Sequence, residues 1–327
     1  MHEERNAGCP DCSDVSRRDF VRVLGGTAIA AAPLVGTVAA AKKKKKKAVT
    51  AETAVTELYA TITETQKKMI CFGFDHALRK KINANWAITK PSIGDDFYTK
   101  EQRVLIDRIV RGVTSEDGYG QFMQQMEDDA GGFSEYHVAI FGKPGTGKFE
   151  FELTGRHLTL RADGDSVDNV AFGGPIVYGH GIGNPKKNLY HYQTKQANTV
   201  FAALDAKQAK QALLPKAPPE SRVPIQGKAG KFPGISVGSL SSDQRDLVEK
   251  TIKVILSPYR EADVDEALKM LKAGGGLGKL HMAFYQAEDL DADKVWDIWR
   301  LEGPSFVWHF RGAPHVHTYV NIGLKNV

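Results

Sequence analysis

Cysteine is scarce in this chain: three in 327 residues, at positions 9, 12 and 71. Cys9 and Cys12 form a C-x-x-C, a spacing used for redox or metal chemistry, but both precede a segment that reads as removable. Cys71 then stands alone, so no disulfide within the mature chain can staple the fold, which must rest on its core. A surplus of charge is also missing where it would matter. The net +5 sits wholly in residues 1–47, which hold ten Lys or Arg and five Asp or Glu; the remainder carries 34 of each sign. With no basic stripe in the folded part, nucleic acid is excluded as a partner. No G-x-S-x-G and no Cys–His nucleophile pattern occurs, which removes two common hydrolase chemistries. A phosphate loop is absent too. Residues 142–148 fit G-x-x-x-x-G-K, but Phe149 stands where Ser or Thr would ligate Mg²⁺. Beyond Lys148 the chain alternates as a strand instead of opening a helix. No nucleotide is expected, and the stretch should turn a β-hairpin.

The residues that are present begin with an address. Ser16-Arg17-Arg18-Asp19-Phe20 precedes a weakly apolar run softened by Gly25, Gly26, Pro33 and Gly36, and Val38-Ala39-Ala40 offers an A-x-A-like cleavage site. Residues 1–41 therefore read as a twin-arginine export signal. The alternative is a membrane anchor; the run is about long enough, but Arg22, the glycines and Pro33 suit it poorly. The expected partner during export is the twin-arginine translocase, and the expected location is periplasmic or extracellular. That route carries folded proteins, often with a cofactor inserted. Lys42 and Lys47 bound a run of six lysines, which reads as a solvated linker over 42–49 or as a contact to an anionic envelope surface.

The remaining chain, 50–327, changes texture twice. The form [ST]-x-x-Q-[KR]-x-[LM]-[IV] occurs from Thr63, from Thr99 and from Ser241. A Ser or Thr with Gln three residues on is a capping box, so these copies mark helix starts. The first could instead lie inside a helix that begins near Thr50. Apolar stripes follow the others: Leu105, Ile106, Ile109, Val110 and Val113, then Leu247, Val248, Ile252 and Ile255. Between these helices "EYHVAIFG", "KFEFELTGRHLTLRADG" and "DNVAFGGPIVYG" read as strands. Residues 207–230 read as a connection, and "DVDEALKMLKAGGG" as a helix stopped by glycine. "KLHMAFYQ", "KVWDIWRLEG", "SFVWHFRG" and "HVHTYVNIG" read as four more strands. Helices, strands, helices, strands predict an α+β fold: one domain, with a largely antiparallel sheet and amphipathic helices packed against it.

Histidine supplies the candidate chemistry. On the last strand, alternation puts His315, His317 and Tyr319 on one face; on the preceding one, Val307, His309 and Arg311 share a face opposite Trp308. The Gly-Ala-Pro connection makes these strands hairpin neighbours. Two imidazoles at i and i+2 with a third across a hairpin can build a three-nitrogen metal site. His309, His315 and His317 are thus the candidate metal ligands, with Zn, Cu or Fe as candidate ions; the alternative is imidazoles bonded to backbone or exposed on the sheet. The Arg156-His157 strand adds a ligand or general base in His157 and an anion-holding group in Arg156. Glu127, Asp128, Asp129 and Glu135 lack the spacing of a calcium loop and read as a solvated helix end. Cys71 reads as an inert thiol in an apolar helix.

The segments "AIFGKPG", "FELTGRHLTL", "FGGP" and "EGPSFVWHFRG…HVHTYVNIG" resemble the family called domain of unknown function 3500, over most of the chain from about Thr50. Family members commonly read Gly-His-His where this chain has Gly155-Arg156-His157. They commonly continue His-x-His into an Arg-Asp-containing tail, where this chain has Thr318-Tyr319-Val320-Asn321. The resemblance implies export and a coherent fold, and points to the same histidines; it implies no particular activity. Two functions stand open: an exported metal-dependent enzyme acting on a small molecule or polymer, or a non-catalytic envelope protein that binds one.

Overall fold

The computed structural model describes residues 50–287, 289–290 and 293–325; the expected export signal and the lysine run lie outside them. Eight α-helices form among these residues: α1 (Ala51–Thr61), α2 (Glu64–Ile70), α3 (Lys100–Val113), α4 (Glu116–Ala130), α5 (His191–Ala202), α6 (Ala206–Ala212), α7 (Ser242–Leu256) and α8 (Glu261–Ala273). The strands are β1 (Cys71–Phe72), β2 (His137–Gly142), β3 (Phe149–Gly155), β4 (Leu158–Ala162), β5 (Ile176–His180), β6 (Leu213–Leu214), β7 (Ile235–Ser236), β8 (His281–Tyr285), β9 (Ile298–Gly303), β10 (Phe306–Arg311) and β11 (Val316–Ile322). They make one open sheet in the order β1-β2-β3-β4-β5-β11-β10-β9-β8-β6, with β7 beside β8. Only β1–β2 and β6–β8 are parallel. The fold is α+β, as expected.

All three expected capping boxes form, at Thr63, Thr99 and Ser241. The first opens its own helix, because α1 has already ended at Thr61. A fourth box, Asp205 with Gln208, opens α6, which runs into the 207–230 stretch that composition assigns to a connection. Its Asp does what Ser or Thr does elsewhere, and Ala-rich sequence then sustains the turn. The capping glutamines do a second job. The Gln66 and Gln102 amides bond each other at 2.9 and 3.2 Å, and Gln208 and Gln244 do so at 3.1 and 2.8 Å. Four helix starts are thereby locked in two pairs, α2 with α3 and α6 with α7. Cys71 is not in a helix; it opens β1, and burial pushes its thiol up to about 11, which leaves it inert.

The 142–149 stretch turns the β2–β3 hairpin, with Lys143 N–H donating to Lys148 O and Phe149 opening the next strand. No helix succeeds it, so it cannot cradle phosphate.

The sheet's two faces differ. One carries Val138, Ile140, Phe151, Leu153, Trp299, Trp308, Phe310 and Val320 into the main core, where the helices cover them. This face contributes most of the apolar burial. The other is covered by two segments without regular helices. Residues 82–88 bring Ala84, Trp86 and Ile88; residues 214–225 bring Leu214, Val223 and Ile225. Beneath these covers lie buried polar and charged residues: Glu150, Glu152, Arg161, Arg300, His309, Arg311 and His317.

A second regularity is the repeat. The succession α-α-β-α-α-β-β-β-β runs from α1 to β5 and again from α5 to β11, with β7 as the one addition. The sheet reads the same from both edges, and its middle is the β5–β11 pair.

Candidate metal centre

Three elements converge on one point. His157 sits in the turn joining β3 to β4, where Gly155 faces Leu158. Its φ of +56° is left-handed, which costs a side-chain-bearing residue on the order of 1–2 kcal/mol. Neighbours hold it there. His157 N–H donates to Ala84 O at 2.6 Å, and the Arg156 carbonyl accepts from Tyr136 Oη at 2.7 Å and Gln125 Nε2 at 3.1 Å. His315 immediately precedes β11, and His317 is the second residue of that strand. Gly179 on β5 faces His317, and a side chain at that glycine would run into the Val316 carbonyl and the His157 Cβ. The absence of a Cβ is what lets the turn approach the strand.

The ligand atoms of His157, His315 and His317 all lie within 4.8 Å of one another. His315 Nε2 is 3.0 Å from His317 Nε2. Two nitrogens on one tetrahedral zinc would be about 3.3 Å apart. The outer nitrogens are anchored. His157 Nδ1–H donates to Asp129 Oδ2 at 2.8 Å, and Asp129 Oδ1 accepts Gly181 N–H at 2.6 Å. His317 Nδ1–H donates to Glu220 Oε2 at 2.9 Å, while Glu220 Oε1 meets Arg311 Nε at 3.0 Å. A carboxylate on Nδ1 fixes the tautomer that leaves Nε2 unprotonated and raises its basicity, the usual support of a metal-binding histidine. Asp129 lies at the C-terminal end of α4, where the helix dipole disfavours a negative charge.

Protonation also suits an ion. Burial, with His157 and Arg311 alongside, pushes His315 down to about 3. Burial and Arg311 hold His317 well below its ordinary value. Both rings stay neutral at neutral pH, the protonation state in which imidazole binds a metal.

Of the five expected site residues, the structure gathers His157, His315 and His317, and Arg156 adjoins them: a Cβ on Gly181 would meet both His157 Cε1 and Arg156 Nη2. His309 lies outside the group. Alternation puts it on the expected face, but the register sets it opposite Tyr319, and Arg311 is the residue facing His317. Sequence reading missed Asp129 and Glu220. Asp129 lies in an acidic stretch that reads as a solvated helix end, and Glu220 in a Pro-rich one; only the fold brings either to a histidine. Asp128 holds a second ring, His180 Nε2, at 3.0 Å, while His180 Nδ1 accepts Leu189 N–H. With both nitrogens used, that ring is structural.

Fold and site together define an α+β protein with a buried three-histidine centre backed by two carboxylates. The chain belongs to the family described as protein of unknown function (DUF3500), which covers residues 44–321. No curated protein and no solved structure matches it.

Proposed function

We propose that this is an exported metal-dependent enzyme whose ion is held by His157, His315 and His317. The observation that carries the reading is the convergence of three imidazoles, two of them backed by carboxylates on the far nitrogen. Three protein nitrogens leave a fourth position open, which separates catalytic from structural zinc sites. An ion held there supplies positive charge to a bound water or a substrate oxygen. Asp129 and Glu220 keep the rings oriented, and Arg156 binds an anionic group of the substrate beside them. His315, less buried than its two partners, marks the side from which substrate enters. Residues 1–41 direct the folded, loaded protein through the twin-arginine translocase, and the lysines at 42–47 hold it near an anionic envelope surface.

Elemental analysis of protein exported by its native host tests this. About one transition-metal ion per chain is expected, with a lower melting temperature after chelation. His157→Ala, His315→Ala and His317→Ala should each lose the ion, whereas Val316→Ala, on the opposite face, should keep it. Metal far below one per chain, with no thermal response to chelator, overturns the reading. Replacing Arg17 and Arg18 with Lys should strand precursor in the cytoplasm; export at the wild-type level would refute the address.

A further inference from the structure

His309 is an anomaly in a well-packed sheet. It is 1% exposed, and neither ring nitrogen has a hydrogen-bond partner. A buried polar atom left so costs about 1–3 kcal/mol, and natural folds seldom leave both ends of a ring that way. Its neighbours are cationic. Arg300 faces it directly across β9, and Arg311 lies two residues on along the same face of β10. Both arginines are buried. Burial and these two guanidinium groups push His309 down to about 3. Arg300 is ion-paired with Glu302 (Nε–Oε2 3.0 Å) and donates Nη2–H to the Arg222 carbonyl, and Arg311 is ion-paired with Glu220. Neither carboxylate reaches His309.

The corresponding place in the first half of the repeat shows what is missing. Gly155 faces Leu158 across the β3–β4 turn as Gly303 faces Phe306 across the β9–β10 turn. Counting from these turns, Arg161 stands where His309 does, and Glu152 where Arg300 does. There the buried cation is Arg161, and it is met by two carboxylates, Glu150 and Glu152. In the second half one carboxylate position has become arginine and the other is Ile298. Glu302 and Glu220 answer the two arginines there, but no carboxylate stands against His309 as Glu150 and Glu152 stand against Arg161.

We propose that the buried cluster of His309, Arg300 and Arg311 binds the carboxylate of a small organic acid, admitted when the covering loop opens. The carboxylate oxygens accept from the guanidinium groups and from one imidazole N–H, which completes the pattern that Glu150 and Glu152 complete in the other half. The cover over this place is residues 215–234, which have neither helix nor strand beyond the 214 position. Segments of that length without regular structure are commonly binding loops, and local opening admits ligand. Arg311 faces His317 in the register, and both meet Glu220. His309 is one alternation further along β10, about 7 Å away. Resting on the metal reading, this makes the substrate a carboxylic acid whose acid group lies under the loop while its neighbouring functional group reaches the ion.

Acetate is the probe, added to metal-free and to zinc-loaded protein while the His309 ring is followed by NMR. Saturable binding that shifts the His309 signals in the metal-free protein is expected, with affinity at least tenfold weaker in His309→Leu and in Arg300→Lys. Because the metal-free arm needs no ion, the carboxylate site survives a failure of the metal reading. Binding seen only with zinc places acetate on the ion and overturns the site. So does an affinity unchanged in both variants. Absence of binding, with ordered water on both His309 nitrogens in a crystal structure, overturns it as well.

Discussion

The two halves of the repeat share a scaffold and differ in what they bury. Leu153-Thr154-Gly155-Arg156-His157-Leu158 turns between β3 and β4; Leu301-Glu302-Gly303-Pro304-Ser305-Phe306 makes a turn of the same length between β9 and β10, without the positive φ of His157. Where the first turn presents His157 to the centre of the sheet, the second presents Ser305, whose hydroxyl donates to the Met270 carbonyl in the helix layer. The first half closes its charged interior with Arg161 between Glu150 and Glu152. The second leaves His309 without a partner. The three gathered histidines come from both, one from the first half's turn and two from the second half, at and just before the start of its last strand. A repeated scaffold thus sets the positions, and unequal residues at equivalent positions make the site.

That comparison can be broken at its strongest point. Arg161→Leu strands the buried Glu152 and leaves Glu150 with Arg79 alone, so it should cost on the order of 3–5 kcal/mol in urea unfolding. Its counterpart His309→Leu removes a ring with no partners and should cost under about 1 kcal/mol at neutral pH. Similar losses in the two variants would mean that the halves are not electrostatically different.

The next effect is a dependence on pH. His309 is held neutral in the fold and titrates near its ordinary value when unfolded. The stability tied to that neutral ring is full above about 6.5 and is lost as pH falls toward about 3. The slope is about 1.4 kcal/mol per pH unit for one proton. His315 and His317 add slopes of the same sign in metal-free protein. Metal-free His309→Leu should therefore lose stability less steeply than wild type between about pH 6 and about pH 4. An identical slope would show that His309 is already solvated.

Weakening the support on the second half's side comes next. Glu220→Gln keeps the shape but withdraws the charge behind His317, which should lower metal affinity by about 10–100-fold while the fold persists. Asp129→Asn should do the same from the first half's side. Competition titrations against a chelator measure both.

The smallest expected contrast lies in the capping pairs. Gln102 is buried and bonds Gln66, whereas Gln244, in the matching pair with Gln208, is part-buried. Gln102→Ala should cost about 1–2 kcal/mol, and Gln244→Ala under about 1, both read by urea unfolding.

Short-range patterns carried most of the fold. A capping box needs four residues and alternation needs about five or six, so α3, α7 and the strands from β2 to β4 and β8 to β11 were legible without neighbours. The face shared by His315 and His317 was legible for the same reason, because strand alternation is local. Two misses were also local: α6 opens on Asp205 in place of Ser or Thr, and Cys71 falls one residue beyond its helix. Pairing was not legible. That β11 lies between β5 and β10, so that Gly179 faces His317, depends on contacts between residues far apart in the chain. So does the choice of His157 over His309 as companion to the β11 histidines. Register alone decided it: one pair of residues along β10 places Arg311, not His309, opposite His317, and leaves the third position to a turn from the other half. The carboxylates at Asp129 and Glu220 were decided the same way. Local sequence determines which residues are able to bind an ion, but the meeting of strands, turns and covers determines which of their nitrogens share one point.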